Sequence, residues 1–229
     1  MRRAVVLLSG GLDSATTLAE AVSKGFEAHA LTVRYGQRHD IEIECAKAVA
    51  RAVGAASHRI AAVDLSFAGG SALTDPSLPV PKSRPDDAIG AGIPPTYVPA
   101  RNTVLLSLAL AWAEVLEARD LFIGANVVDY GGYPDCRPAF LRSFERLAGL
   151  ATRAGVEGAA FTVHAPLLLM TKADIVRRAL DLGVDTSLTW SCYDPAPGPA
   201  PCGLCDACLL RARGFREAGV PDAFSLARR

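Results

Sequence analysis

The residues with the clearest chemical capacity stand near the start of the chain, Ser9-Gly10-Gly11-Leu12-Asp13-Ser14. Two glycines leave main-chain N–H groups open to a ligand with no side chain in the way. The apolar run Ala4-Val5-Val6-Leu7-Leu8 precedes them, and Leu12, Ala15, Leu18, Ala19 and Val22 follow at helical spacing. A helix start offers N–H groups without intrahelical partners and a dipole that favours negative charge. Strand, glycine turn and helix start together make an anion site, and the anion this arrangement suits is phosphate. The plain alternative is a strand-to-helix turn capped by Ser or Asp. Two hydroxyls and a carboxylate around the glycines favour phosphate, and no Gly-Lys-Ser/Thr follows at Walker spacing.

A second set of reactive groups lies near the other end. Cys202-Gly203-Leu204-Cys205-Asp206-Ala207-Cys208 sets three thiols three residues apart, with Cys192 ten residues upstream. Four soft donors on a tight turn suit one tetrahedral Zn²⁺, and with sulfur in every position such a site is structural. An iron–sulfur cluster is the competing reading. The other two of the six cysteines stand alone. Cys45 falls on an apolar helix face and reads as core. Cys136, in a polar loop beside Arg137, reads either as a low-pKa nucleophile or as a small buried residue.

The elements that must position these groups follow from periodicity. Strands are predicted at Ala4 to Leu8, Glu27 to Val33, His58 to Val63, Asp120 to Ala125 and Phe161 to Ala165. Helices are predicted from Leu12 to near Gly25, Gln37 to Val53, Asn102 to Ala118, Pro138 to about Ala154, and from Lys172 behind a Thr171–Asp174 cap to before Gly183. Helices between apolar strands indicate βαβ units, hence a doubly wound, mainly parallel five-stranded α/β sheet. Residues 1–185 form this nucleotide-binding domain and 186–229 a small helical, zinc-binding lobe. From Asp64 to Pro95, four glycines and six prolines in 32 residues break the pattern, which reads as a loop near the active site.

Ligands of an open parallel sheet bind beyond the carboxyl ends of its strands. There the loops carry Arg34 to His39, Pro99-Ala100-Arg101-Asn102 and Asp129 to Arg137, beside the glycine loop. His39 reads as a general base or as a residue that caps and packs. The formal net charge of +0 gives no basic surface for long nucleic-acid contacts. No apolar run nears a membrane span, and the short one at residues 4–8 does not make a signal peptide, so the expected location is the cytoplasm.

The phosphate loop resembles the SGGxDS loop of the ATP-pyrophosphatase superfamily. Behind it TYVPARN (96–102), GANVVDYGGYPDCRP (124–138), TKADIV (171–176), SCY (191–193) and CGLCDACLLRARGF (202–215) follow in order. This set is similar to the 7-cyano-7-deazaguanine synthase family of queuosine biosynthesis, over residues 4 to about 222. The resemblance implies an adenine nucleotide alpha-hydrolase-like fold, ATP with Mg²⁺, and conversion of 7-carboxy-7-deazaguanine and ammonia to the nitrile by way of the amide. It implies that ATP lies along Leu8 to Leu18, that is Leu8, Ser9, Gly10, Gly11, Leu12, Asp13, Ser14, Ala15, Thr16, Thr17 and Leu18. Asp13, Ser14, Lys172 and Arg101 are then the catalytic candidates. Asp129, Tyr130, Tyr133, Asp135 and Arg137 are the candidates for holding the deazapurine, with packing as the bland reading of the tyrosines. Cys192, Cys202, Cys205 and Cys208 are the zinc ligands, and a homodimer is implied. One departure is visible, because the family pattern has Ser where this chain has Gly131.

Rival readings differ in what else they require. A transfer-RNA-modifying pyrophosphatase calls for a basic surface or an RNA-binding domain. An amidotransferase calls for a glutaminase partner. A non-catalytic zinc module leaves the phosphate loop idle.

Overall fold

Five strands, all parallel, form one sheet in the order β3-β2-β1-β4-β5. They are β1 (Arg3–Leu7), β2 (Glu27–Arg34), β3 (Ser57–Ala62), β4 (Asp120–Phe122) and β5 (Thr162–His164). The computed structural model describes residues 1–85, 88–89, 92–128, 132–195 and 200–223. The central strand is buried on both faces, as its uninterrupted apolar run requires. Val5, Leu7, Leu31, Val33, Leu121 and Val163 face helices α3 (Arg101–Val115) and α4 (Pro138–Ala151). Ala4, Val6, Ala28, Ala30 and Phe122 face α1 (Leu12–Ser23), α2 (Ile41–Val53), α6 (Lys172–Asp181) and Phe215 of α7 (Asp206–Ala218). Burying each Val, Leu or Phe contributes about 1.5–3 kcal/mol, so the two cores fix which way β1, β2, β4 and β5 turn.

The chain winds outward from β1 to β3 and returns through α3 to β4 on the other side of β1. The switch in strand order therefore falls between β1 and β4, where such sheets open a crevice. The glycine loop leaves one of these strands and Gly124 follows the other.

Element boundaries moved where local hydrogen bonding competes with periodicity. Helix α2 starts at Ile41 rather than Gln37, because the Gln37 side chain accepts the Tyr35 N–H at 2.8 Å and holds a turn. The helix from Pro138 ends at Ala151. Thr152 is extended there and its side chain caps the short α5 (Arg153–Val156), taking the Gly155 N–H. Within the described part of the segment from Asp64 to Pro95, Ser71, Ala72, Leu73, Thr74 and Val80 are buried and form a packed wall. It reaches the cysteine segment through an antiparallel bridge between Lys82 and Cys205. Among the described residues no helix is long and apolar enough to cross a membrane.

Candidate active site

A cavity opens at the switch point, walled by the ends of β1, β2 and β4, the starts of α1, α2 and α3, and Trp190, Ser191 and Tyr193. Its floor is the glycine loop. Gly10 has φ +89, and a Cβ there would stand 2.2 Å from the Glu42 carbonyl oxygen, so α2 lies directly on the loop. Ser14 Oγ donates to the Gly11 carbonyl at 3.0 Å and accepts the Ser9 N–H at 3.1 Å, which shapes the turn. Gly11 is the N-cap of α1 without a side-chain cap, so the first N–H groups of the helix remain for a ligand. Gly124 allows β4 to exit within 3.2 Å of the Ser14 nitrogen, measured from where its Cβ would be.

Of the residues predicted to lie along ATP, Leu8, Ser9, Gly11, Leu12, Asp13 and Ser14 line the cavity. Gly10 lies behind them against α2. Ala15, Thr16, Thr17 and Leu18 are fully buried, and both threonine hydroxyls donate to helix carbonyls four residues back.

Lys172 crosses from α6 to Asp13. Its Nζ lies 2.9 and 2.8 Å from the two carboxylate oxygens, and the lysine side chain is 6% exposed. Asn126 fixes the approach of α6, donating to the Leu167 and Met170 carbonyls at 2.9 and 2.6 Å. Arg101 opens α3 behind Ala100, which is left-handed at φ 53. Its guanidinium lies 5.6 Å over the Tyr35 ring. Burial opposes the charge on Arg101, and the facing Tyr35, Tyr133 and Tyr193 oxygens outweigh it and hold the guanidinium above its ordinary value. No carboxylate of the described residues pairs with it at hydrogen-bond distance, so the cavity holds a half-buried cation suited to an anionic ligand.

The other predicted residues are placed differently. Tyr133 lines the cavity and shares a 3.0 Å hydrogen bond with Thr96. Asp135 is buried beneath α3, where it accepts the Asn102 N–H at 2.9 Å. Arg137 is exposed at the N-cap of α4, and it is not among the residues that line the cavity. Asp129, Tyr130 and Gly131 lie outside the described residues. Burial pushes the Cys136 thiol up to about 11, and Asn102 donates to it at 3.3 Å. It is therefore a neutral thiol at physiological pH, not an activated nucleophile. His39 packs on Trp190 and faces the Cys192 carbonyl at 3.1 Å, with burial lowering its pKa.

Sequence reading passed over Glu42. It sits one residue off the Ile41–Cys45–Val49 face of α2, where a glutamate reads as solvent-facing, yet it lines the cavity. Burial pushes its carboxyl up to about 7 against the opposing pull of Arg101. Tyr193 was passed over too, although it directly follows a predicted metal ligand.

The four thiols of Cys192, Cys202, Cys205 and Cys208 lie within 4.8 Å of one another. Main-chain N–H groups of Cys202 and Tyr193 point at Cys192 and Cys205 sulfurs at 3.3 and 3.5 Å. Hydrogen bonds from Cys192 and Cys208 hold the Cys205 thiol low and push its two partners up. A dication is what lets all four ionise together, so the set fits a metal.

The family model described as "Queuosine biosynthesis protein QueC" matches residues 3–219. The chain belongs to that family. A 7-cyano-7-deazaguanine synthase from Anaeromyxobacter sp. (strain Fw109-5) is 63% identical over 221 residues, spanning 96% of this chain and 94% of that protein. One from Myxococcus xanthus (strain DK1622) is 60% identical over 222 residues, spanning 97% and 96%. Among solved structures, a 4-thiouridine synthetase in complex with RNA and ATP aligns with a TM-score of 0.50 at 19% identity. It covers 94% of this chain and 53% of that one, a likeness of fold. The expected family is borne out over nearly the whole chain.

Proposed function

We propose that the chain is an ATP-dependent C–N bond-forming ligase that converts 7-carboxy-7-deazaguanine and ammonia to 7-cyano-7-deazaguanine. The observation that carries this reading is one cavity holding a glycine loop with open N–H groups, the Asp13–Lys172 pair and the half-buried Arg101. The synthases that align with nearly the full chain supply the substrate class. A carboxylate is a poor acylating group, so its oxygen must first become a leaving group. Attack of that oxygen on the α-phosphate gives an acyl adenylate, and the pyrophosphate rests on Ser9, Gly10, Gly11, Asp13 and Ser14. Ammonia displaces AMP to give the amide. A second adenylation, at the amide oxygen, precedes the nitrile.

Arg101 pairs with the substrate carboxylate, and Lys172 balances phosphate charge through Asp13. Tyr133 presents a face for the base, with Asp135 fixing the first turn of α3 beneath it. Mg²⁺ supplies charge neutralisation of the phosphates when bound; Asp13 suits it, because each oxygen holds a further lone pair beside the Lys172 bond. The ion of the cysteine set is read as Zn²⁺, four sulfurs being its structural donor set. The protein is further read as a cytoplasmic homodimer without direct nucleic-acid contact. Leu150 and Val156, 83% and 79% exposed, follow Gly149 and Gly155, whose backbones approach closely, and are apolar side chains a second copy could cover.

The test is incubation of the purified protein with ATP, Mg²⁺, ammonium and 7-carboxy-7-deazaguanine, following the base by mass. Loss of the carboxylate and appearance of the nitrile are expected. An unchanged base, with ATP turnover driven instead by transfer RNA or another carboxylate, would overturn the reading.

A further inference from the structure

Phosphate and carboxylate have partners in the cavity, while the protons of the reaction have none so far. Ammonia attack on the acyl adenylate forms the C–N bond and leaves an extra proton on nitrogen. That proton must go before the C–O bond breaks and AMP departs with its electron pair. In the second half the amide oxygen displaces pyrophosphate from ATP. Two N–H protons are then lost as the C–O bond breaks, AMP leaves and the C≡N bond forms. Each half therefore calls for an acceptor within reach of nitrogen.

We propose that Glu42 is this acceptor, the base for both ammonia attack and nitrile formation. The inference rests on the activity proposed above. Geometry supports it first. Only a residue without Cβ at position 10 lets the first turn of α2 rest on the phosphate loop, and this brings the Glu42 side chain into the cavity with Ser9, Asp13, Ser14 and Arg101. Among the described residues of the wall, the carboxylates are Asp13 and Glu42. Both oxygens of Asp13 accept from Lys172, and the lone pair each has left is the one assigned above to Mg²⁺. No described group hydrogen-bonds the Glu42 carboxylate, so its lone pairs are free for a proton.

Among the described residues, the groups around it narrow the choice. Arg101 from α3 and Tyr35 from the β2–α2 connection are its near electrostatic neighbours. Asp13 of α1, Lys172 of α6, Tyr133 and Tyr193 complete the wall, with Arg211 of α7. Tyr35 and Tyr133 are pushed up by burial and stay neutral, and Cys136 does so as well. His39 is not on the wall and is turned to the Cys192 carbonyl. Burial holds the Glu42 carboxyl near 7, where it both accepts and returns a proton at neutral pH.

Glu42→Gln separates the roles. Substrate-dependent exchange of pyrophosphate into ATP, which reports adenylation, should stay close to wild type. Nitrile formation should fall by about 10²- to 10⁴-fold, and the rise of kcat through neutral pH should vanish. Glu42→Ala should regain part of its rate with added formate, which a structural role would not predict. Exchange lost in parallel with nitrile formation would make Glu42 a binding or loop-holding residue and overturn the proposal. Full nitrile formation by Glu42→Gln would overturn it too. Wild-type protein that makes no nitrile would sink the activity itself and this proposal with it.

Discussion

Lys172 is a cation with a side chain 6% exposed, tolerable in that position because Asp13 neutralises it. Removing one partner of a buried pair leaves the other charge unsolvated, a cost of about 3–5 kcal/mol; the 22% exposure of Asp13 places it toward the lower end. Asp13→Ala should therefore abolish turnover and lower thermal stability while metal content stays at wild type, which metal analysis beside a melting curve would check. Metal lost in parallel would mean damage to the fold instead. Glu42 makes the opposite prediction for stability. Its folded pKa, about 7, lies above the ordinary carboxyl value, so the folded state binds the proton more tightly than the unfolded chain. The contribution to stability is full below the unfolded pKa and lost as pH rises through about 7. Glu42→Gln should thus melt with wild type near pH 4 and several degrees above it at pH 8.5.

Two glycines let helices come close around the phosphate loop, Gly10 beneath α2 and Gly214 of α7 against Lys172. On α7, a Cβ at Gly214 would stand 2.3 Å from Lys172 Cγ. Gly214→Ala improves helix propensity by about 1 kcal/mol yet must displace Lys172 or push α7 off α6. The expected result is a rise in KM for ATP of about tenfold or more with a modest loss of stability, read by steady-state kinetics and melting. A variant with unchanged KM would mean that Lys172 holds no phosphate charge. At this scale the sequence was informative where one effect dominates. The uninterrupted apolar run of β1 and the apolar-rich stretches of the other four strands stand out in the sequence, and the glycine loop and the Thr171–Asp174 capping box stand where their residue types demand. It was less informative where side-chain direction decides. Asp135 and Arg137 stand two positions apart in one polar loop, yet one is sealed under α3 and the other faces solvent. Glu42 has the reverse fate, since its exposure depends on the close approach of Gly10, a contact between elements 32 positions apart that no local pattern encodes.

Across the whole molecule the cysteine set is a junction rather than an appendage. Toward the long wall, the Ser83 N–H donates to the Leu204 carbonyl at 2.8 Å, Arg84 reaches Asp206 at 2.9 Å and Lys82 reaches Asp194 at 2.9 Å. Toward the cavity, the Cys192 carbonyl accepts from the Trp190 indole at 2.7 Å and faces His39 at 3.1 Å. Tyr193, on the cavity wall, points its N–H at the Cys205 sulfur. Arg38 extends the same network by donating to the Asp75 and Leu78 carbonyls. A tetrahedral metal would hold four backbone positions at once, so these ties share its stability. The sheet does not, because β1, β2 and β4 are sealed by the two large cores on either face. Stripping the metal with a chelator should release hydrogen-exchange protection over 71–85, 190–195 and 202–208 while β1, β2, β4 and α1 keep theirs. ATP affinity should change little, because its loop rests on the sheet. Affinity for the deazapurine should fall about tenfold or more, because Tyr193 and the wall behind Tyr35 and Arg101 loosen. Exchange confined to 192–208, with both ligands bound as before, would show that the metal braces only its own turn.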